Sequence, residues 1–188
     1  MQLGVLEAVP RGAALPILLD LGCGPGLLLN YLAATGRAEA VEYRGIDISP
    51  AMIDLGRSRW PGREFQVRDI TVDPLPPESV DVVVMNGVLT ERQGIPRERM
   101  VTMAQSLLAS AFQAARCGIV FNVMSRHVDW EREDLFHWGF DEVAAFLKQN
   151  LTRHFSFRAD YGLFEFTTFA WRHARRLEFS AGPDWWST

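Results

Sequence analysis

The stretch LLDLGCGPGLLL, Leu18 to Leu29, sets three glycines and a proline between two apolar runs. It reads as a buried strand, a tight turn and the start of a helix. Glycine belongs where backbone turns sharply or where a ligand approaches without meeting a Cβ. At a strand-to-helix junction, that bareness points to a nucleotide-like ligand and to a sheet whose strands are joined by helices.

The rest of the chain agrees. Apolar runs of strand length alternate with segments of helical period, the pattern of a mainly parallel sheet with crossover helices. Strands are predicted at Ile17–Asp20 (β1), Glu42–Asp47 (β2), Glu64–Arg68 (β3), Val80–Met85 (β4) and Gly118–Val123 (β5). Helices are predicted from about Gly26 to Thr35, from SPAMIDLGRSR, and from about Pro96 to Ala115. In the second of these Ser49 caps and Pro50 occupies the first turn. After β5 a helix around Asp141–Asn150 precedes RHFSFRADYGLFEFTTFAWR, which reads as a hairpin turning at ADYG.

Three nucleotide loops compete for the glycines. A phosphate-binding loop needs G-x-x-x-x-G-K-[S/T], and the chain's one lysine, Lys148, lies far away. The dinucleotide fingerprint G-x-G-x-x-G would place its third glycine where Leu27 stands. What remains is G-x-G-x-G at Gly22, Gly24 and Gly26, preceded by Asp20. A carboxylate at that lip repels a pyrophosphate but accepts hydrogen bonds from an ammonium group. Asp47, closing β2 in GIDIS, suits an unphosphorylated ribose diol. Asp69 and Ile70, in VRDI after β3, suit the amine and edge of an adenine.

In this order along the chain, the segments LLDLGCGPG, GIDIS, RDI and VDVVVMNGVLTE resemble the motifs of the class I S-adenosylmethionine-dependent methyltransferases. The resemblance runs from about Leu15 to Arg172. It implies a Rossmann-like seven-stranded, mostly parallel sheet in the order 3-2-1-4-5-7-6, with the last strand antiparallel and helices on both faces. The chain is then one domain, 1–188, with an N-terminal segment 1–16, a core 17–172 and a tail 173–188. The resemblance also implies S-adenosyl-L-methionine as cofactor. Asp20 and the loop Gly22, Cys23, Gly24 and Gly26 would meet its methionine side. Asp47 would hold the ribose, Ile48 would pack on the adenine, and Asp69 with Ile70 would grip its edge. Asn86 and Gly87 would contact the methionine end and border the acceptor.

Methyl transfer from a sulfonium is an in-line displacement, so positioning and water exclusion supply much of the catalysis. A general base is needed only when the acceptor must lose a proton early. The MNGV sequence after β4 lacks the [D/N/S]-P-P-[Y/F/W] signature of enzymes that methylate base amines. The expected acceptor is therefore a small molecule, with oxygen favoured as the receiving atom. The segment NVMSRHVDWEREDLFHWGFD, Asn122 to Asp141, supplies His127 as a candidate base and Trp130, Phe136 and Trp138 as candidate pocket walls. Glu91 is a further acceptor-side candidate. The competing reading of this segment is a surface loop whose aromatics pin it to the sheet edge. The competing function is a non-catalytic cofactor-binding subunit that regulates a partner.

Composition narrows the setting. The 188 residues are 48% hydrophobic, enough for one domain core. A net charge of −4 argues against general nucleic-acid binding. Cys23 and Cys117 give neither a disulfide framework nor a zinc spacing, so no metal is expected. With no apolar run of membrane-spanning length, no membrane partner is expected, and the reducing cytoplasm is the expected location. Family members carry a helical cover before β1, where this chain has a short LGVLEAV. The expectation is an open site, one covered by a homodimer mate or partner chain, or a start lying outside this sequence.

Overall fold

The computed structural model describes residues 15–174. The predicted features of residues 1–14 and 175–188, including the N-terminal cover, lie outside them. The described residues form one eight-stranded sheet with flanking helices. In chain order the principal elements are β1 (Ile17–Leu21), α1 (Leu27–Ala34), β2 (Glu42–Asp47), α2 (Pro50–Arg59), β3 (Glu64–Val67) and β4 (Val80–Leu89). Then come α3 (Arg97–Ala114), β5 (Ala115–Ser125), β6 (His137–Trp138), α4 (Phe140–Asn150), β7 (His154–Arg158) and β8 (Glu165–Trp171).

The sheet order is β3-β2-β1-β4-β5-β8-β7, with β6 beside β5. Strands β1 to β5 pair in parallel, and β8 runs antiparallel to both β5 and β7. Setting β6 aside leaves the expected order. The extra strand has a local cause: β4 makes its last pair at Leu89 with Val123, and β6 then takes the vacated edge at Met124 and Ser125. β4 and β5 also run longer than predicted, because the ladder continues past an irregularity between Met85 and Leu89.

The run VDVVVM explains why β4 is central. Its side chains alternate between two apolar clusters, with Val82 and Val84 in one and Val83 and Met85 in the other. A strand buried on both faces reads as a continuous apolar run. The cluster holding Val83 and Met85 contains Met100, Ala104 and Leu108 of α3 and Val143 and Leu147 of α4. The cluster holding Val82 and Val84 contains Leu28, Leu29 and Leu32 of α1 and Ile53 of α2.

Helix ends are closed by specific groups. The Ser49 hydroxyl accepts the Met52 N–H at 3.4 Å and opens α2 beside Pro50. At the far end of α3, Arg172 donates to the carbonyls of Phe112 and Gln113 and lies over the Phe112 ring. A cation there satisfies terminal carbonyls and complements the helix dipole. By contrast, the connection from β3 to β4 carries no helix. That proline-rich coil leaves Met103 and Ser106 on the flank of α3 uncovered, which shapes the site.

Candidate active site

The glycine loop follows β1 and is fixed from two sides. The N–H groups of Gly22 and Cys23 both donate to the Ile46 carbonyl of β2, at 2.7 and 3.0 Å. The N–H of Gly24 donates to Asp47 Oδ2 at 2.9 Å, while Asp47 Oδ1 accepts the N–H of Ser49 at 2.8 Å. One carboxylate thus ties the loop to the start of α2. Gly22 has φ +72°, and a Cβ there would meet Val88 Cγ2 at 2.4 Å, so glycine is required. A Cβ at Gly24 would meet nothing within 4 Å, so there it is the left-handed φ of +52° that favours glycine.

A cavity of about 510 Å³ opens beside this loop. Gly22, Asp47, Ile48, Asp69, Ile70, Asn86 and Gly87 all line it, so residues assigned from sequence converge on one space. Ile48 is exposed and offers a free apolar surface, whereas the Ile70 side chain is buried in the core. The Asp69 carboxylate accepts both the hydroxyl and the N–H of Thr71, and these bonds hold its pKa below the usual range.

Asp20, Cys23, Gly24 and Gly26 do not line the cavity. Asp20 is buried beneath the loop and accepts the Tyr43 hydroxyl at 2.7 Å. Burial pushes its pKa up to about 7 against the lowering effect of that bond, with nearby Asp47 adding to the rise. Burial likewise pushes the Cys23 thiol up to about 12, so it stays protonated at neutral pH. Gly26 occupies the N-cap of α1.

The segment after β5 behaves differently from its predicted role as a pocket wall. Phe136 and Trp138 are fully buried, with ring centroids 5.6 Å apart, and Trp138 lies 6.2 Å from Phe146 of α4. They belong to the core, packed against α4, and do not line the cavity beside the glycine loop. Trp130 is exposed and pairs with exposed Phe164 at 6.5 Å. The His127 ring lies 5.2 Å from that of Phe140, and it does not line the cavity. Glu91 is exposed and its carboxylate accepts from the Gln93 side chain.

The structure adds residues that sequence reasoning missed. Met100, Met103, Ala104, Ser106 and Leu107 of α3 form the far wall of the cavity, with Arg68, Thr71 and Val88. The signal was the absence of any helical pattern in DPLPPES, which leaves this flank of α3 uncovered. Asn122 was also missed. It is buried in β5, its Oδ1 accepts the Gly87 N–H at 2.8 Å, and its Nδ2 donates to Glu165 at 2.5 Å.

The fold and the cavity define an α/β protein with a ligand-sized cavity over the ends of its parallel strands. Comparison with known proteins agrees. Residues 18–111 match the family model described as "Methyltransferase domain". A protein of Mycobacterium tuberculosis described as a putative methyltransferase is 32% identical over 150 residues, covering 79% of this chain and 88% of that protein. The trans-aconitate 2-methyltransferase of Paracidovorax citrulli is 33% identical over 142 residues, 75% of this chain. This chain spans only 49% of that enzyme. Magnesium protoporphyrin IX methyltransferase from Synechocystis, solved with S-adenosylmethionine bound, shares the fold at TM-score 0.59 and 17% identity. That match covers 85% of this chain and 71% of the other. The chain belongs to the class I S-adenosylmethionine-dependent methyltransferases.

Among the described residues, no helix is long and apolar enough to cross a membrane.

Proposed function

We propose that this enzyme methylates a small-molecule acceptor, with oxygen as the receiving atom, and that the cavity beside the glycine loop holds the cofactor. The observation that carries the reading is the convergence of Gly22, Asp47, Asp69 and the Asn86–Gly87 pair on one cavity of about 510 Å³. Small-molecule sites commonly fall in the range of about 300–1,000 Å³. Support for the acceptor class comes from the relative named for trans-aconitate.

The residues present fit the cofactor. A carboxylate offers about four acceptor positions, and Asp47 uses two on Gly24 and Ser49, leaving capacity for a ribose diol. Ile48 gives the adenine an apolar face, and Asp69 with the Ile70 backbone meets its edge. Gly22, Asn86 and Gly87 border the methionine end. Bound S-adenosylmethionine supplies an activated methyl group on a sulfonium.

The protein's own contribution is orientation and exclusion of water. The loop is anchored by Asp47 and by the Ile46 carbonyl, so its position is set before a ligand arrives. Preorganisation of this kind lowers the entropic cost of aligning acceptor and methyl group. Among the described residues no histidine lines the cavity. A proximity mechanism needs no general base where the acceptor oxygen is already ionised.

The test is incubation with methyl-labelled cofactor and a panel of small carboxylic acids, phenols and amines, with products identified by mass spectrometry. Label in an ester or ether supports the proposal. Label found only in nucleic acid or protein overturns it.

A further inference from the structure

β4 and β5 lose their backbone register between Met85 and Leu89, at the stretch that borders the cavity. Gly87 adopts φ +79° there, and its N–H meets the Asn122 side chain in place of a strand partner. Because a backbone N–H can only donate, Asn122 must turn Oδ1 toward it and Nδ2 away. Nδ2 reaches Glu165 Oε2 at 2.5 Å, and Glu165 stands at the start of β8. The carboxylate acceptor strengthens that bond and polarises the amide, which strengthens the bond to Gly87 in turn.

The Asn86–Gly87 peptide is trans, so its carbonyl points opposite to its N–H. With the N–H held by Asn122, the Asn86 carbonyl is directed away from Asn122. Both Asn86 and Gly87 line the cavity. A carbonyl oxygen is a partial negative charge, suited to an ammonium or sulfonium.

We propose that Glu165 and Asn122 form a positioning pair that fixes the Asn86–Gly87 peptide and presents the Asn86 carbonyl to the cationic end of the bound cofactor. The inference rests on the cofactor placement proposed above. The pair acts at a distance from the adenosine end, where Asp47 and Asp69 lie. Its loss therefore changes the grip on the amino-acid end alone, whereas a merely structural stitch between β8 and β4 would affect both ends or neither.

The experiment is calorimetric titration of Asn122→Asp, Glu165→Gln and the double variant with S-adenosylhomocysteine and with 5′-methylthioadenosine, which lacks the amino-acid end. Asn122→Asp sets two carboxylates face to face, and like charges so placed repel. It is expected to weaken S-adenosylhomocysteine by about tenfold or more while changing 5′-methylthioadenosine less than about twofold. Glu165→Gln removes the charge but keeps an acceptor, and a loss of about threefold is expected. In the double variant the introduced glutamine amide donates to the introduced carboxylate, which still accepts from Gly87. At least about fivefold of the Asn122→Asp loss is then expected to return. Equal losses for both ligands, or no recovery in a folded double variant, overturn the proposal. Should Asn122→Asp not fold, Glu165→Ala serves, and unchanged S-adenosylhomocysteine affinity in it overturns the proposal too. If wild-type protein binds neither ligand, it is the cofactor placement that fails.

Discussion

The Asp47 carboxylate bridges two backbone N–H groups, Gly24 at 2.9 Å and Ser49 at 2.8 Å, so the glycine loop and the start of α2 share one anchor. Replacing Asp47 with alanine removes the loop tether together with the acceptor for a ribose diol. Cofactor affinity is expected to fall by about 2–3 kcal/mol while the protein stays folded. Asp47→Asn retains one acceptor oxygen and is expected to fall between wild type and alanine. Calorimetry with circular dichroism checks both; equal affinity for all three proteins would leave Asp47 a tether of the loop to α2 with no part in binding.

Burial of Asp20 is expected to make the stability of the protein depend on pH. Its folded pKa of about 7 stands above the ordinary 3.8, chiefly through burial. The folded state therefore holds a proton more tightly, and this group's contribution to stability falls as pH rises from about 4 to about 7. Above pH 7 the ionised, buried carboxylate costs about 1–4 kcal/mol relative to a neutral group. Asp20→Asn keeps an acceptor for Tyr43 and is expected to be more stable than wild type at pH 8, with the gap closing at pH 5. Chemical denaturation at the two pH values checks the sign. A cationic cofactor favours the ionised form, so binding at a pH just below 7 is expected to release protons in wild type, and less so in Asp20→Asn.

Phe136 and Trp138 are core residues, and their removal is expected to cost stability before chemistry. Trp138→Ala should lower unfolding free energy by about 3–5 kcal/mol. Trp130→Ala, at an exposed position paired with Phe164, should change it by less than about 1 kcal/mol. Thermal denaturation separates the two, and a larger loss at Trp130 would contradict the assignment of the core.

The flank of α3 supplies a steric test. Met103 is exposed and lines the cavity, so Met103→Trp adds bulk at its wall without disturbing the core. Cofactor affinity is expected to drop by about tenfold or more with little change in thermal stability, because a filled cavity excludes its ligand. Unchanged affinity would place the cofactor elsewhere.

Much of this architecture was legible in the sequence because its signals are local. VDVVVM declares a strand buried on both faces, Ser49-Pro50 declares a helix start, and the glycines after β1 declare a bare loop. Asp47 and Asp69, at or just past the ends of β2 and β3, line the cavity for a related reason: parallel strands deliver their C-terminal ends to one edge. What was not legible depends on partners distant in the chain. Phe136 and Trp138 read either as pocket aromatics or as aromatics that pin a loop to the sheet edge, and their burial against α4 depends on β6 pairing with Met124 and Ser125, further back in the chain. Asn122 sits unremarked within an apolar strand, since its meaning lies in Gly87 and Glu165. The α3 wall emerges only from the missing helix between β3 and β4.

We place S-adenosylmethionine in the cavity between the glycine loop and α3. The decisive measurement is titration of the wild-type protein with S-adenosylhomocysteine, with NAD as comparison. One molecule bound per chain with a micromolar dissociation constant, and no measurable heat from NAD, is the expected result. Tighter binding of NAD, or no binding of S-adenosylhomocysteine by folded protein, would contradict it.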